Sequence, residues 1–203
     1  TMFVVDSSDD ADHHFADSRI AYAQLGGPHL VLPLVNGSAL PIDDLGMVAA
    51  HELGHLFWAL DEYPLGGDAY NAFSGYYNTQ NKNAAVGQPD PASREPSIMA
   101  ELALQRASWD TYSLPESTRA LLGWQDSNDN GVFDALDVPL RLDVTGTSLD
   151  QGTGQLRITG SATAQALQNL NSRTPVTIRN NITTNTVDRI EYRVDGGAWQ
   201  TAA

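Results

Sequence analysis

The sequence predicts an α+β fold: a mixed sheet with one long helix and a later C-terminal helix, followed by a small all-β module. Three observations carry this expectation. Leu45, Val48, Ala49, Leu53, Leu56 and Leu60 recur at spacings of three and four, which draws one apolar stripe along a helix. Ahead of them, Thr1 to Asp6 and His29 to Val35 are short apolar runs of strand type. After Trp124 the text becomes short alternating segments with turn residues between them. A chain of 203 residues holds one ordinary domain, or one domain with a partial second. The expected division is 1–125, then 126–137 as a junction loop, then 138–203 as the β module.

The elements follow in order. TMFVVD opens as a strand and runs into an acidic loop from Ser7 to Asp17. Ser18 to Leu25 mixes helical and strand character. Gly26-Gly27-Pro28 is a turn, and HLVLPLV after it is a strand that Pro33, lacking an N–H, assigns to a sheet edge. Pro41-Ile42-Asp43-Asp44 starts the long helix, with acids at its positive end. Pro64 to Glu95 is rich in Gly, Asn, Tyr and Pro and has little period; a loop this long inside a domain is as a rule functional or held by an ion. SLPESTRALLG reads as a capped helix, with Ser113 as N-cap, Pro115 early and Gly123 at the stop. RLDV, QLRITG, VTIRN, RIEYRV and AWQTA are the later strands, and Asp195-Gly196-Gly197 is a hairpin signal.

Composition excludes several function classes. The chain carries 25 acidic and 11 basic residues, a formal charge of -14, and only Lys82 among lysines. Nucleic acid and anionic membrane surfaces need clustered Lys and Arg, so neither is an expected partner. A 41% hydrophobic content supports a packed core. With no cysteine there is no disulfide scaffold, thiol nucleophile or Cys-ligated metal. No run reaches the roughly 18 apolar residues of a membrane span. No signal peptide is visible, and the chain opens at Thr1, so the expectation is a mature form or part of a longer protein, with any pro-segment outside it.

The chemistry-bearing motif is His51-Glu52-Leu53-Gly54-His55, HExxH on the long helix. Histidines four apart share one helical face a turn apart, so both rings reach a single Zn²⁺. Glu52 is rotated off that seam, where it takes the proton of a zinc-bound water and leaves a nucleophile for a peptide carbonyl.

HELGHLFWALDEY around the motif, together with Ser97-Ile98-Met99-Ala100 further on, resembles the metzincin clan of metallopeptidases, and within it the Asp-ligand and IgA-peptidase-like bacterial enzymes. The resemblance covers roughly residues 1 to 125, with the specific match confined to the helix and the Met-turn. It implies His51, His55 and Asp61, ten positions after His51, as zinc ligands, Glu52 as general base and Met99 as support beneath the site. The chain departs from the clan where a glycine usually stands seven positions after the first histidine; here it is Trp58. A continuous helix would carry residue 61 about 15 Å along the axis from His51, so the Asp61 reading requires a turn between Trp58 and Asp61. Glu62 and Glu101 stand as alternative third ligands, the second in the manner of gluzincin-like peptidases. Tyr63, Tyr76 and Tyr77 are candidate oxyanion donors or packing anchors. His13, His14 and His29 read as solvated or structural.

A second ion site is expected at Asp126 to Asp137. Side-chain oxygens of Asp126, Asn128, Asn130, Asp134 and Asp137 stand at positions 1, 3, 5, 9 and 12, with Gly131 at the turn and the Val132 carbonyl at position 7, a twelve-residue Ca²⁺ loop. It resembles a dockerin loop in a single copy, which implies a structural brace rather than a paired binding module. Val138 to Ala203, notably RIEYRVDGGAW, resembles part of a bacterial immunoglobulin-like module short of several strands, which implies that the parent protein continues. The resulting expectation is an exported, secreted or cell-surface bacterial zinc endopeptidase with a protein or peptide substrate, stabilised by calcium and monomeric. The alternative is a non-catalytic adhesion module that retains the fold.

Overall fold

The computed structural model describes residues 1–9, 11, 15, 19–34 and 42–202. The fold is mixed α+β with small sheets, and the described residues form three α-helices. The chain divides into two compact units, Thr1–Trp124 with Asn169–Arg179, and Gln125–Gln168 with Asn180–Ala203. Residues 169–179, read from the sequence as part of the C-terminal module, thus belong to the first unit.

In the first unit, β1 (Met2–Val5) pairs in parallel with β3 (Leu30–Pro33), and β2 (Tyr22–Ala23) pairs antiparallel with the other side of β3. The order β1-β3-β2 makes β3 central, which corrects the edge position expected from Pro33. The reason is local. β2 is two residues long and pairs only with Leu30 and Val31, so Pro33 lies past its end and its missing N–H breaks no bond. Leu30, Val31 and Leu32 are buried.

Helix α1 spans Leu45–Leu56 after a 3-10 turn at Ile42–Asp44, so Leu60 lies beyond its end. Asp44 makes no side-chain cap; its carboxylate takes two bonds from Arg106, at 2.8 and 2.6 Å, and ties the start of α1 to α2 (Leu102–Thr111). No apolar stripe marks α2, because it buries Gln105 and Ser108 while Leu102 is exposed. Helix α3 is shorter than its pattern, Glu116–Leu121, with Pro115 at the N-cap. Ser113 closes α2 instead of capping α3, donating its N–H to the Ser108 carbonyl at 3.2 Å. Met47, Ala59, Ile98, Met99 and Leu121 form the core, with Ala50, Leu114 and Leu122 packed against it.

The short hairpin of β4 (Phe73–Ser74) and β5 (Thr79–Gln80) is held from outside by residues 169–179. Leu170 N–H donates to the Tyr76 carbonyl at 2.7 Å, and Arg173 bonds the Phe73 carbonyl and Asp68 at 2.9 and 3.0 Å. VTIRN, expected as a strand, lies here and contains a 3-10 turn at Val176–Ile178. Its consecutive N–H groups fold back on Pro175 and Val176 instead of reaching a neighbouring strand.

The second unit is built on the ribbon β6 (Leu140–Asp150) with β7 (Gln155–Ala164). The register skips a residue between Val144 and Gly146. That bulge keeps Leu140, Leu142 and Val144 on the same face as Leu149, Leu156 and Ile158, since an unbroken period of two would send Leu149 to the other side. A shorter hairpin pairs β8 (Glu191–Tyr192) with β9 (Gln200–Thr201) around the predicted Asp195-Gly196-Gly197 turn.

Candidate metal centre

The site is made by the way α1 stops. Phe57 is its C-cap, and Trp58 follows in the left-handed region at φ 72°. Trp58 N–H bonds the His55 carbonyl at 3.0 Å and Ala59 N–H bonds the Gly54 carbonyl at 3.1 Å, the paired bonds of a Schellman stop. The turn required between Trp58 and Asp61 therefore falls at Trp58 itself. A side chain in this conformation costs about 1–2 kcal/mol. The Trp58 ring packs on Gly26, where an added Cβ would lie only 2.0 Å from the indole, and Gly26 N–H bonds the His55 carbonyl at 2.7 Å. Indole packing offsets the backbone cost.

The reversed chain brings Asp61 back to the histidines. Asp61 Oδ1 lies 3.3 Å from His51 Nε2 and 3.3 Å from His55 Nε2. On the far side of each ring, His51 Nδ1 stands 2.9 Å from the Ile98 carbonyl and His55 Nδ1 stands 2.9 Å from the Ala59 carbonyl. A carbonyl only accepts, so each Nδ1 carries the proton and donates. Each neutral imidazole then presents its Nε2 lone pair to Asp61, an arrangement that repels unless a proton or a cation lies among the three atoms. Asp61 Oδ1 is buried and has no hydrogen-bond partner. Ligand atoms at about 2.0–2.1 Å from a tetrahedral zinc stand roughly 3.3–3.4 Å apart, so the measured separations suit that ion. Among the described residues, His51, His55 and Asp61 are the group of three or more such side chains whose donor atoms converge, all within 4.8 Å of one another.

The electrostatics follow from burial and these contacts. Burial raises the Asp61 carboxyl, but the two histidines outweigh it and hold it at about 2. Burial disfavours a charged His55, and Asp61 overrides this and moves the ring above its ordinary value. Glu52, next to His51 on α1 and buried, is pushed up by desolvation against the opposing pull of the two histidines and Arg19. Tyr63, its ring centroid 6.0 Å from that of His51, is pushed up to about 12 by burial and by the negative charges of Asp61 and Glu52. Its hydroxyl stays protonated at neutral pH and hydrogen-bonds Asp61. Tyr76 contacts residues away from the centre, near Gly123.

Glu62 and Glu101 are engaged elsewhere. Glu62 is fully buried, with its two oxygens taking bonds from Thr118 Oγ1 at 2.5 Å and Asn83 Nδ2 at 2.6 Å. Both Glu101 oxygens are taken by Arg94, at 2.7 and 2.6 Å. Met99 is fully buried beneath α1, its sulfur 2.6 Å from the point where a Cβ on Gly54 would stand. His29 makes an edge contact with Phe3, and His13 and His14 lie outside the described residues. The Ile98 and Ala59 carbonyls, which set both histidine tautomers, were missed because backbone atoms leave no mark in a sequence.

In the 126–137 loop, Asp129 and Gly131 take positive φ, 57° and 82°. Asp137 Oδ2 accepts from Asn128 and Asn130 amides at 3.1 and 2.7 Å, and Asp126 accepts from the N–H groups of Asn130 and Gly131 at 3.2 and 2.7 Å. Asp134 Oδ1 accepts from Ser127. The Asp126, Asp134 and Asp137 carboxylates are thus bound to the loop's own N–H, amide and hydroxyl donors.

Comparison with family models, curated proteins and solved structures finds no match for this chain.

The contact between Gly54 and Met99 has a measurable consequence. Ala exceeds Gly in helix propensity by about 1 kcal/mol, while overpacking a closed core costs about 1–3 kcal/mol. Gly54→Ala lowers the midpoint of chemical denaturation, because Met99 has no exposed surface to move into. A raised midpoint would show that the methionine yields.

Proposed function

We propose that this chain is a zinc-dependent endopeptidase of metzincin type, exported, acting on protein or peptide substrates. The observation that carries the reading is the convergence of His51 Nε2, His55 Nε2 and an otherwise unpartnered Asp61 Oδ1, beside a buried Glu52. His51, His55 and Asp61 would hold the zinc, which when bound supplies Lewis acidity toward a water molecule and a carbonyl oxygen. Three protein ligands leave room for that chemistry, as structural sites with four do not.

The side chains divide the remaining work. The Ile98 and Ala59 carbonyls fix both histidines in the Nδ1–H tautomer and keep Nε2 free. The Glu52 carboxylate takes the proton of the attacking water and delivers it to the nitrogen of the departing amine. Its raised pKa makes it a better acceptor of that water proton than an ordinary glutamate. Tyr63 remains a hydrogen-bond donor through the neutral range, held on Asp61. Glu101, closed by Arg94, does not favour the gluzincin-like alternative.

Glu52→Ala binds one zinc per chain as the parent does, and its rate of casein cleavage falls by about 10²–10⁴-fold, the usual worth of a general base. Equal cleavage by both proteins would reject the mechanism. In the same series Asp61→Ala loses zinc affinity by more than the roughly 10–100-fold typical of outer-shell changes, while Glu101→Ala retains it.

The acidic loop is proposed as a structural calcium site made by Asp126, Asn128, Asn130, the Val132 carbonyl, Asp134 and Asp137. A loop of this charge suits the Kd of about 10⁻⁴–10⁻³ M found in extracellular modules, which agrees with export. Calcium at 100-fold over Kd would add about 2.7 kcal/mol. The melting temperature rises with millimolar calcium in the parent and stays fixed in Asp126→Ala; a rise in neither, or in both alike, would reject the site.

A further inference from the structure

We infer that Glu62 is the positioning residue for Asp61, its buried carboxylate setting the backbone from which Asp61 faces the two histidines. This rests on the metal-site reading above. Apart from the contact with Tyr63, Asp61 makes no side-chain bond that would orient it; the oxygen that faces the histidines has no hydrogen-bond partner. Its place must come from the main chain. That main chain is held at the Asp61 carbonyl and at the Glu62 N–H and carbonyl. Asn81 Nδ2 donates to the Asp61 carbonyl at 2.9 Å, and Glu62 N–H donates to the Met99 carbonyl at 2.9 Å. The Glu62 carbonyl accepts from Ala85 N–H at 2.8 Å and Arg94 Nη2 at 2.9 Å.

The Glu62 side chain extends the same hold across three elements. Thr118 on α3 and Asn83 in the long loop donate to its two oxygens, and Ser97 in the Met-turn adds a further hydrogen bond. Thr118 and Ser97 are fully buried and Asn83 nearly so. The Met-turn is thereby gripped on both sides: the Ile98 carbonyl takes His51 Nδ1, and the next carbonyl, Met99, takes Glu62 N–H. A shift of Glu62 moves the third ligand and the carbonyl that orients the first ligand together. Among the described residues the Glu62 carboxylate is met by uncharged donors, since Arg94 gives its side-chain donors to Glu101 and to the carbonyls of Asn83 and Glu62. An apolar side chain of that size would fill the space without burying a charge, so what the carboxylate supplies is a fixed arrangement of donors.

The test measures zinc affinity of the full chain by competition with a chromophoric chelator, for Glu62→Gln, Thr118→Val, Thr118→Ser and Asp61→Ala. Leu32→Ala, in the buried part of β3, serves as a control that destabilises without touching this network. Glu62→Gln and Thr118→Val weaken zinc binding by about 10–100-fold, the range of outer-shell ligand support, and Thr118→Ser restores it. Leu32→Ala lowers the melting temperature yet binds zinc as the parent does. Parent affinity in both Glu62→Gln and Thr118→Val, or a loss in Leu32→Ala that matches theirs, overturns the inference. If Glu62→Gln fails to fold, the Thr118 pair decides. Failure of the parent to bind zinc, or retention by Asp61→Ala, overturns the metal reading and this inference with it. A parent that binds, an Asp61→Ala that does not, and unaffected Glu62 and Thr118 variants overturn this inference alone.

Discussion

Everything proposed for the site depends on one backbone event, the left-handed stop of α1 at Trp58. Without it Asp61 would continue up the helix, away from His51 by about three turns. With it, two hydrogen bonds close the helix end, and the His55 ring finds its carbonyl partner at Ala59, one residue past the turn. The same few residues thus end a helix, set a tautomer and return a carboxylate. Glycine takes such a conformation at least cost. Here the indole on Gly26 stands in for that freedom, so the helix stop is fastened to the Gly26-Gly27-Pro28 turn instead of being free at the surface.

Below this turn the three converging side chains are supported from the segment Ser97 to Ala100. Ile98, Met99 and Ser97 touch His51, Gly54 and Glu62 in turn, which places one short segment beneath both α1 and the chain that carries Asp61. The supports are mostly main-chain carbonyls and uncharged polar donors. They fix direction without bringing a competing charge to the three converging atoms. Several of the chain's acids have partners of their own: Glu62 takes hydroxyl and amide donors, Glu101 and Asp44 take arginines, and Asp137 takes amides of its own loop.

The parts of the site that rest on fixed periods were legible in the sequence. HExxH spaces two rings by one helical turn whatever surrounds it, and Gly123 at φ 91° ends α3 where its pattern stops. Other parts were not legible, for identifiable reasons. Trp58 reads against a left-handed turn, because the ring packing that compensates it involves a residue more than thirty positions away. Glu62 reads as a surface acid or a ligand, because charged residues are rarely fully buried. Its side-chain donors Asn83 and Thr118 stand 21 and 56 positions away, so nothing beside it in the chain marks its burial. Pro33 misled in the other direction: a proline is barred from the sheet interior only where a neighbour would need its N–H, and β2 ends too early to ask for it. Helix α2 escaped because the face it buries is polar.

X-ray absorption at the zinc edge of the loaded chain tests whether His51, His55 and Asp61 meet on one ion. Ligation by His51, His55 and Asp61 gives a short first shell at about 2.0–2.2 Å of nitrogen and oxygen, with the outer-shell scattering of two imidazole rings. A first shell of oxygen alone, without imidazole scattering, would place the ion among surface acids and contradict it.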